Sequence, residues 1–60
     1  MKATWEDRKK LENTRWKIET DDGVWFHIRD TKLNIHTDVW FASFWEAIDF
    51  LVRSWPEDFV

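Results

Sequence analysis

Strict alternation of apolar and polar positions begins at Trp16. Trp16, Ile18 and Thr20 alternate with Arg15, Lys17 and Glu19, and then Asp21-Asp22-Gly23 breaks the pattern as a turn would. Val24, Phe26 and Ile28 alternate with Trp25, His27 and Arg29. Beyond Asp30-Thr31-Lys32-Leu33-Asn34, the residues Ile35, Thr37, Val39 and Phe41 alternate with His36, Asp38 and Trp40. Period two predicts three strands, at about 15–20, 24–30 and 35–41, most simply an antiparallel meander.

The period then changes to that of a helix. Ser43-Phe44-Trp45-Glu46 fits a capping box, and Phe44, Ile48, Leu51 and Trp55 form one apolar stripe flanked by Ala47 and Val52. Glu46, Asp49 and Arg53 form the opposite face. Pro56 ends the helix, which is predicted at about 44–55. Residues 1–13 lack a clean period, since Trp5 and Leu11 fall on different faces. Thr4 and Asp7 have capping-box spacing, so this N-terminal arm is expected as a short helix or as disorder. The fold class expected is α+β, a single small β-β-β-α domain over 14–60 with the helix packed on one face of the sheet.

Face parity suggests the registers. A three-residue loop, Asp21 to Gly23, pairs Thr20 with Val24, Ile18 with Phe26 and Trp16 with Ile28 on one face. A four-residue loop, Thr31 to Asn34, pairs Trp25 with Trp40 and His27 with Asp38. The sheet then offers Trp16, Ile18, Val24, Phe26, Ile28, Ile35, Val39 and Phe41 to the core, opposite the helix stripe. Trp5, Trp25, Trp40, Trp45, Phe50 and Phe59 are left outside.

Composition sharpens this remainder. Six Trp and five Phe make up 18% of a 60-residue chain, so the leftover aromatics are an unusual share of its surface. The chain has no Cys, which excludes a disulfide framework, a thiolate metal site and a cysteine nucleophile. The longest uncharged run, Val39 to Trp45, is far short of the ~20 apolar residues of a membrane span. Met1-Lys2-Ala3 leads into charge rather than an apolar leader, so a cytoplasmic protein is expected.

Charge is asymmetric. Up to Lys17 six cations stand against three acids, a net of +3; from Ile18 three cations stand against nine acids, a net of −6. The basic arm and acidic body can attract each other, or the arm can meet an external anion.

Catalysis has little to work with. Ser43 is a helix cap, Ser54 lies in the last helical turn, and Asp21-Asp22 is a turn. Gly23 is the only Gly, so no phosphate-cradling loop exists. No catalytic residue, cofactor, small-molecule substrate or membrane partner is expected. His27 and His36 share a face with Asp38, and two His with a carboxylate can hold zinc. A His27–Asp38 hydrogen bond is the simpler reading, so no metal site is expected.

The stretch from Val24 to Val52 is similar to a layout of small bacterial and phage-borne proteins. It runs strand, Asp-Thr turn, strand, then the helix start Phe41-Ala42-Ser43-Phe44-Trp45-Glu46-Ala47. The resemblance implies an accessory or inhibitor-like protein that binds a larger machine. The expected function is thus a non-enzymatic protein-interaction module. Trp25, Trp40, His27 and Arg29 would form its contact face, with Trp45 and Phe50 as a second surface. One alternative is single-stranded nucleic-acid binding by the same face with Arg8, Lys9, Lys10, Arg15 and Lys17. Another is a self-associating domain, such as a homodimer, orphan or designed, with no separate ligand.

Overall fold

The computed structural model describes residues 2–60 and has two α-helices and a three-stranded antiparallel sheet, an α+β fold. The elements run α1 (Trp5–Leu11), β1 (Trp16–Thr20), β2 (Phe26–Asp30), β3 (Ile35–Phe41) and α2 (Phe44–Ser54), and a 3₁₀ turn (Pro56–Phe59) follows. The strands lie in the order β1-β2-β3.

The arm is helical. Thr4 and Asp7 complete a capping box, with Asp7 Oδ2 accepting from the Thr4 N–H at 2.9 Å. Glu6 and Asp7 in the first turn and Arg8, Lys9 and Lys10 in the last complement the helix dipole. Leu11 anchors α1 in the core, and Trp5 on its other face stays exposed.

In α2, Ser43 Oγ accepts from the Glu46 N–H at 3.1 Å, while Glu46 reaches back to the Ala42 N–H at 3.2 Å. The helix stops where Trp55 leaves helical geometry ahead of Pro56. Ala47, Ile48 and Leu51 of its stripe are fully buried beside Ile28, Trp16 and Leu11.

The β1–β2 register differs from the expected one. Thr20 pairs with Phe26, Ile18 with Ile28 and Trp16 with Asp30, so the loop holds five residues, 21–25. Asp22 explains the extra length. Its Oδ1 accepts from the N–H of both Val24 (2.9 Å) and Trp25 (3.1 Å), closing the loop locally before the strand can resume. Gly23 takes the left-handed conformation there, at φ 76. Val24 consequently lies in the loop and is exposed, not in the core.

The second turn has the expected four residues, and Asp30 pairs with Ile35 and Arg29 with His36. Asn34 is its left-handed residue, at φ 54. Asp30 is buried and shapes this turn, accepting from the Lys32 N–H at 3.0 Å and the Leu33 N–H at 3.2 Å. The ladder then shifts. His27 pairs with Trp40 and Phe26 with Phe41, so Ile28 alone on β2 spans Thr37, Asp38 and Val39 on β3. The expected pairs Trp25–Trp40 and His27–Asp38 therefore do not form. Val39 lies within the bulge and Ile35 at the strand end, and both are exposed rather than core residues.

The core recruits two aromatics expected outside it. Phe50 packs on Phe41 (centroids 5.3 Å apart) and Trp55 (6.2 Å). Phe59 is buried because the 3₁₀ turn folds back beneath Trp16, whose ring lies 4.4 Å from that of Trp55.

Candidate interaction face

Alternation along β1 and β2 directs Trp16, Ile18 and Ile28 toward α2, and it leaves Lys17, Glu19, His27 and Arg29 on the opposite face. Glu19 of β1 and Trp40 of β3 pair with His27 of β2 from either side. His36 lies on the diagonal, its ring 4.7 Å from that of His27, and the Trp40 ring meets His27 edge-on at 5.0 Å. These neighbours leave His27 only 3% exposed on a face that no helix covers.

Glu19 is the polar hinge of this cluster. Its Oε1 accepts from Arg29 Nε at 3.0 Å and lies 3.4 Å from His27 Nε2. The Arg29 hydrogen bond holds the Glu19 carboxyl below the usual carboxylate range, against the upward push of burial. Arg29 is fixed in turn by a hydrogen bond to Asn34 Oδ1 at 3.0 Å. His27 Nδ1 is buried and has no hydrogen-bond partner. Among the described residues, Glu19, His27 and His36 gather as a set with metal-ligand chemistry, one ligand atom of each lying within 4.8 Å of the others. The carboxylate beside the two histidines is thus Glu19 and not Asp38, which the bulge of β3 carries out of register with His27.

Trp25 and Trp40 meet in a different way from the expected cross-strand pair. Trp25 sits in the β1–β2 loop and Trp40 near the end of β3, and together with Asp21 and Asp22 they line an open groove of about 480 Å³. Trp25 is 49% exposed and Trp40 56%. The rim is anionic: the N–H groups of Val24 and Trp25 hold the Asp22 carboxyl below its ordinary value. Two indole surfaces and two carboxylates in one groove offer stacking and negative charge side by side.

The second expected surface divides. Phe50 belongs to the core, whereas Trp45 is exposed and meets Trp5 edge-on at 5.2 Å. Lys2, Trp5, Trp45, Glu46 and Asp49 help line a second groove between the arm and α2. The basic residues are not a free strip. Arg8 lies over the rings of Trp5 (5.7 Å) and Phe44 (5.3 Å). Arg15 donates from Nε to Asp30 at 3.1 Å and covers the Trp16 ring at 4.9 Å. Lys9 and Lys17 are exposed and Lys10 is half-buried.

Sequence reasoning passed over Glu19 as a partner of His27, Asp21 and Asp22 as a groove rim, and Trp5 as a partner of Trp45. One trace of the first was available. The three-residue loop sets His27 against Lys17 and Arg29 against Arg15, whereas a shift of two residues sets His27 against Glu19.

Compared with known proteins, the chain matches no family model, no curated protein and no solved structure.

Proposed function

We propose that this chain is a non-enzymatic interaction module whose Trp25–Trp40 groove takes a Lys or Arg side chain of a partner protein. The observation that carries this reading is the groove itself: two half-exposed indoles, on a face no helix covers, rimmed by Asp21 and Asp22. Large exposed aromatics are the residue type that dominates binding energy in protein interfaces. A guanidinium or ammonium over an indole gains cation–π attraction, and the two carboxylates supply charge complementarity. The same rim repels phosphate, and Arg8 and Arg15 are engaged within the chain, so the nucleic-acid reading is the weaker one. Among the described residues, no helix is long and apolar enough to cross a membrane. Within this proposal the chain acts as an accessory protein in the cytoplasm, the setting its sequence leads one to expect.

Tryptophan fluorescence titrations test it, with an arginine-rich peptide and a single-stranded oligothymidylate as probes. Saturable peptide binding that is lost in Trp25→Ser and weakened in Asp22→Asn supports the groove. Asn retains an oxygen to accept the loop N–H groups, so the second variant removes charge alone. Oligothymidylate binding that falls steeply with salt, with no peptide binding, overturns it for the nucleic-acid reading. A dimer by light scattering that Trp25→Ser dissociates overturns it for self-association.

A further inference from the structure

We infer that Glu19, His27 and His36 form a zinc site on the face of the sheet that α2 leaves uncovered. Each strand contributes one ligand: Glu19 from β1, His27 from β2 and His36 from β3. Two imidazoles and a carboxylate are a ligand set of zinc sites that keep a fourth position for water. The inference stands independently of the Trp25–Trp40 groove.

Three observations carry it. First, the ligand atoms already lie within 4.8 Å of one another, and His27 Nε2 and Glu19 Oε1 are 3.4 Å apart. Two ligands at ~2.1 Å from one tetrahedral ion are themselves about 3.4 Å apart. His36 alone has distance to close, and it is exposed with room to turn. Second, His27 is nine-tenths buried and its Nε2 is presented to the Glu19 carboxylate. Its ring is held by the faces and edges of His36 and Trp40, so no hydrogen bond to another donor or acceptor competes with an ion for its nitrogens. With Nε2 as the ligand atom, Nδ1 keeps no hydrogen-bond partner, so ring packing alone orients His27 toward Glu19. Third, Arg29 holds Glu19 by Nε and is itself tied to Asn34. Ligating carboxylates are commonly oriented in this way by a hydrogen-bonded neighbour. The Arg29 charge also opposes a cation, which weakens the site relative to one without it.

A bound ion would cross-link the three strands. It would hold His36 on the far side of the register shift in β3 and fix the ring environment of Trp40.

The test is calorimetric titration of the untagged full chain with zinc chloride, alongside cobalt(II) absorption and thermal unfolding. The expected result is saturable binding of one ion per chain, a rise in melting temperature and a four-coordinate cobalt spectrum. His36→Gln and Glu19→Gln should each weaken zinc by more than about tenfold, the scale on which even an orienting partner matters. His36 is exposed, so that variant keeps the fold if His27→Ala does not. Asp38→Asn, the other carboxylate near the histidines in sequence, should bind as the parent does. No saturable uptake at micromolar zinc, or uptake unchanged in both His36→Gln and Glu19→Gln, overturns the site.

Discussion

Trp16 donates its indole Nε1 hydrogen to Asp58 Oδ2 at 3.0 Å, joining the first strand to the 3₁₀ turn that follows α2. Through it Phe59 is drawn into the core and buried, while Val60 stays exposed. Asp58→Ala would leave the donor of a buried indole without an acceptor. The expected loss is about 1–3 kcal/mol. In a domain this small each kcal/mol lowers the melting temperature by about 4–8 °C. Asp58→Asn keeps an acceptor and should lose less. Equal melting temperatures for Asp58→Ala and the parent would show that the bond contributes nothing.

Acid should unfold the chain through three carboxylates. Glu19 is lowered chiefly by Arg29, and Asp22 by the N–H groups of Val24 and Trp25. Burial pushes Asp30 up, but hydrogen bonds from Arg15 and from the Leu33 and Lys32 N–H groups outweigh it and leave it lowered. A carboxyl with a lower value folded than unfolded takes up its proton more readily when the chain unfolds. Its stabilisation is present above the unfolded value and disappears as pH falls through the folded one. The urea midpoint should therefore drop between about pH 5 and pH 3, and Asp30→Asn should flatten the drop. A midpoint constant across that range would contradict this linkage.

Aromatic substitutions should separate by layer. Phe50→Ala removes a ring packed between Phe41 and Trp55 and should lose about 1.5–3 kcal/mol. Trp25→Ser touches only the groove and should stay within about 0.5 kcal/mol of the parent. Trp40→Ser gives up its edge contact with His27, for about 0.5–1.5 kcal/mol. Urea unfolding of the three variants checks the order, and a Trp25→Ser loss as large as that of Phe50→Ala would make the groove a structural element.

Gly23→Ala isolates backbone strain. A Cβ there meets nothing within 4 Å, but φ is +76. The variant should lose about 1–2 kcal/mol without any steric clash, and Gly23→Asn should lose less because Asn tolerates the left-handed region. A neutral Gly23→Ala would mean that the five-residue loop relaxes.

The sequence was most legible where one residue set the local geometry. Ser43, Glu46 and Pro56 bound α2, and parity placed Ile18, Phe26 and Ile28 on one face. Parity could not fix loop length, because a slip of two residues keeps every side chain on its face. By parity a three-residue and a five-residue loop are equivalent, and the Asp22 hydrogen bonds select the longer one. The β3 bulge is likewise invisible to period two, since it also shifts the ladder by two. The candidate site is affected by both shifts: parity puts His27 and His36 on a common face, but the carboxylate beside them is Glu19 and not Asp38. Phe50 and Phe59 join the core against expectation, because helix and tail periodicity says nothing of how a small core recruits rings from its margins.

The register shift in β3 also governs what the outer side of that strand can become. β3 is the last strand of the sheet, seven residues long, with Ile35, Val39 and Trp40 exposed. A straight strand of that description is a template for edge-to-edge pairing of chains into fibres. Three residues set against one interrupt the row of free N–H and C=O groups midway along the strand. A second chain that begins to pair there would meet a step after a few residues, and such an irregularity works against a continuous intermolecular sheet.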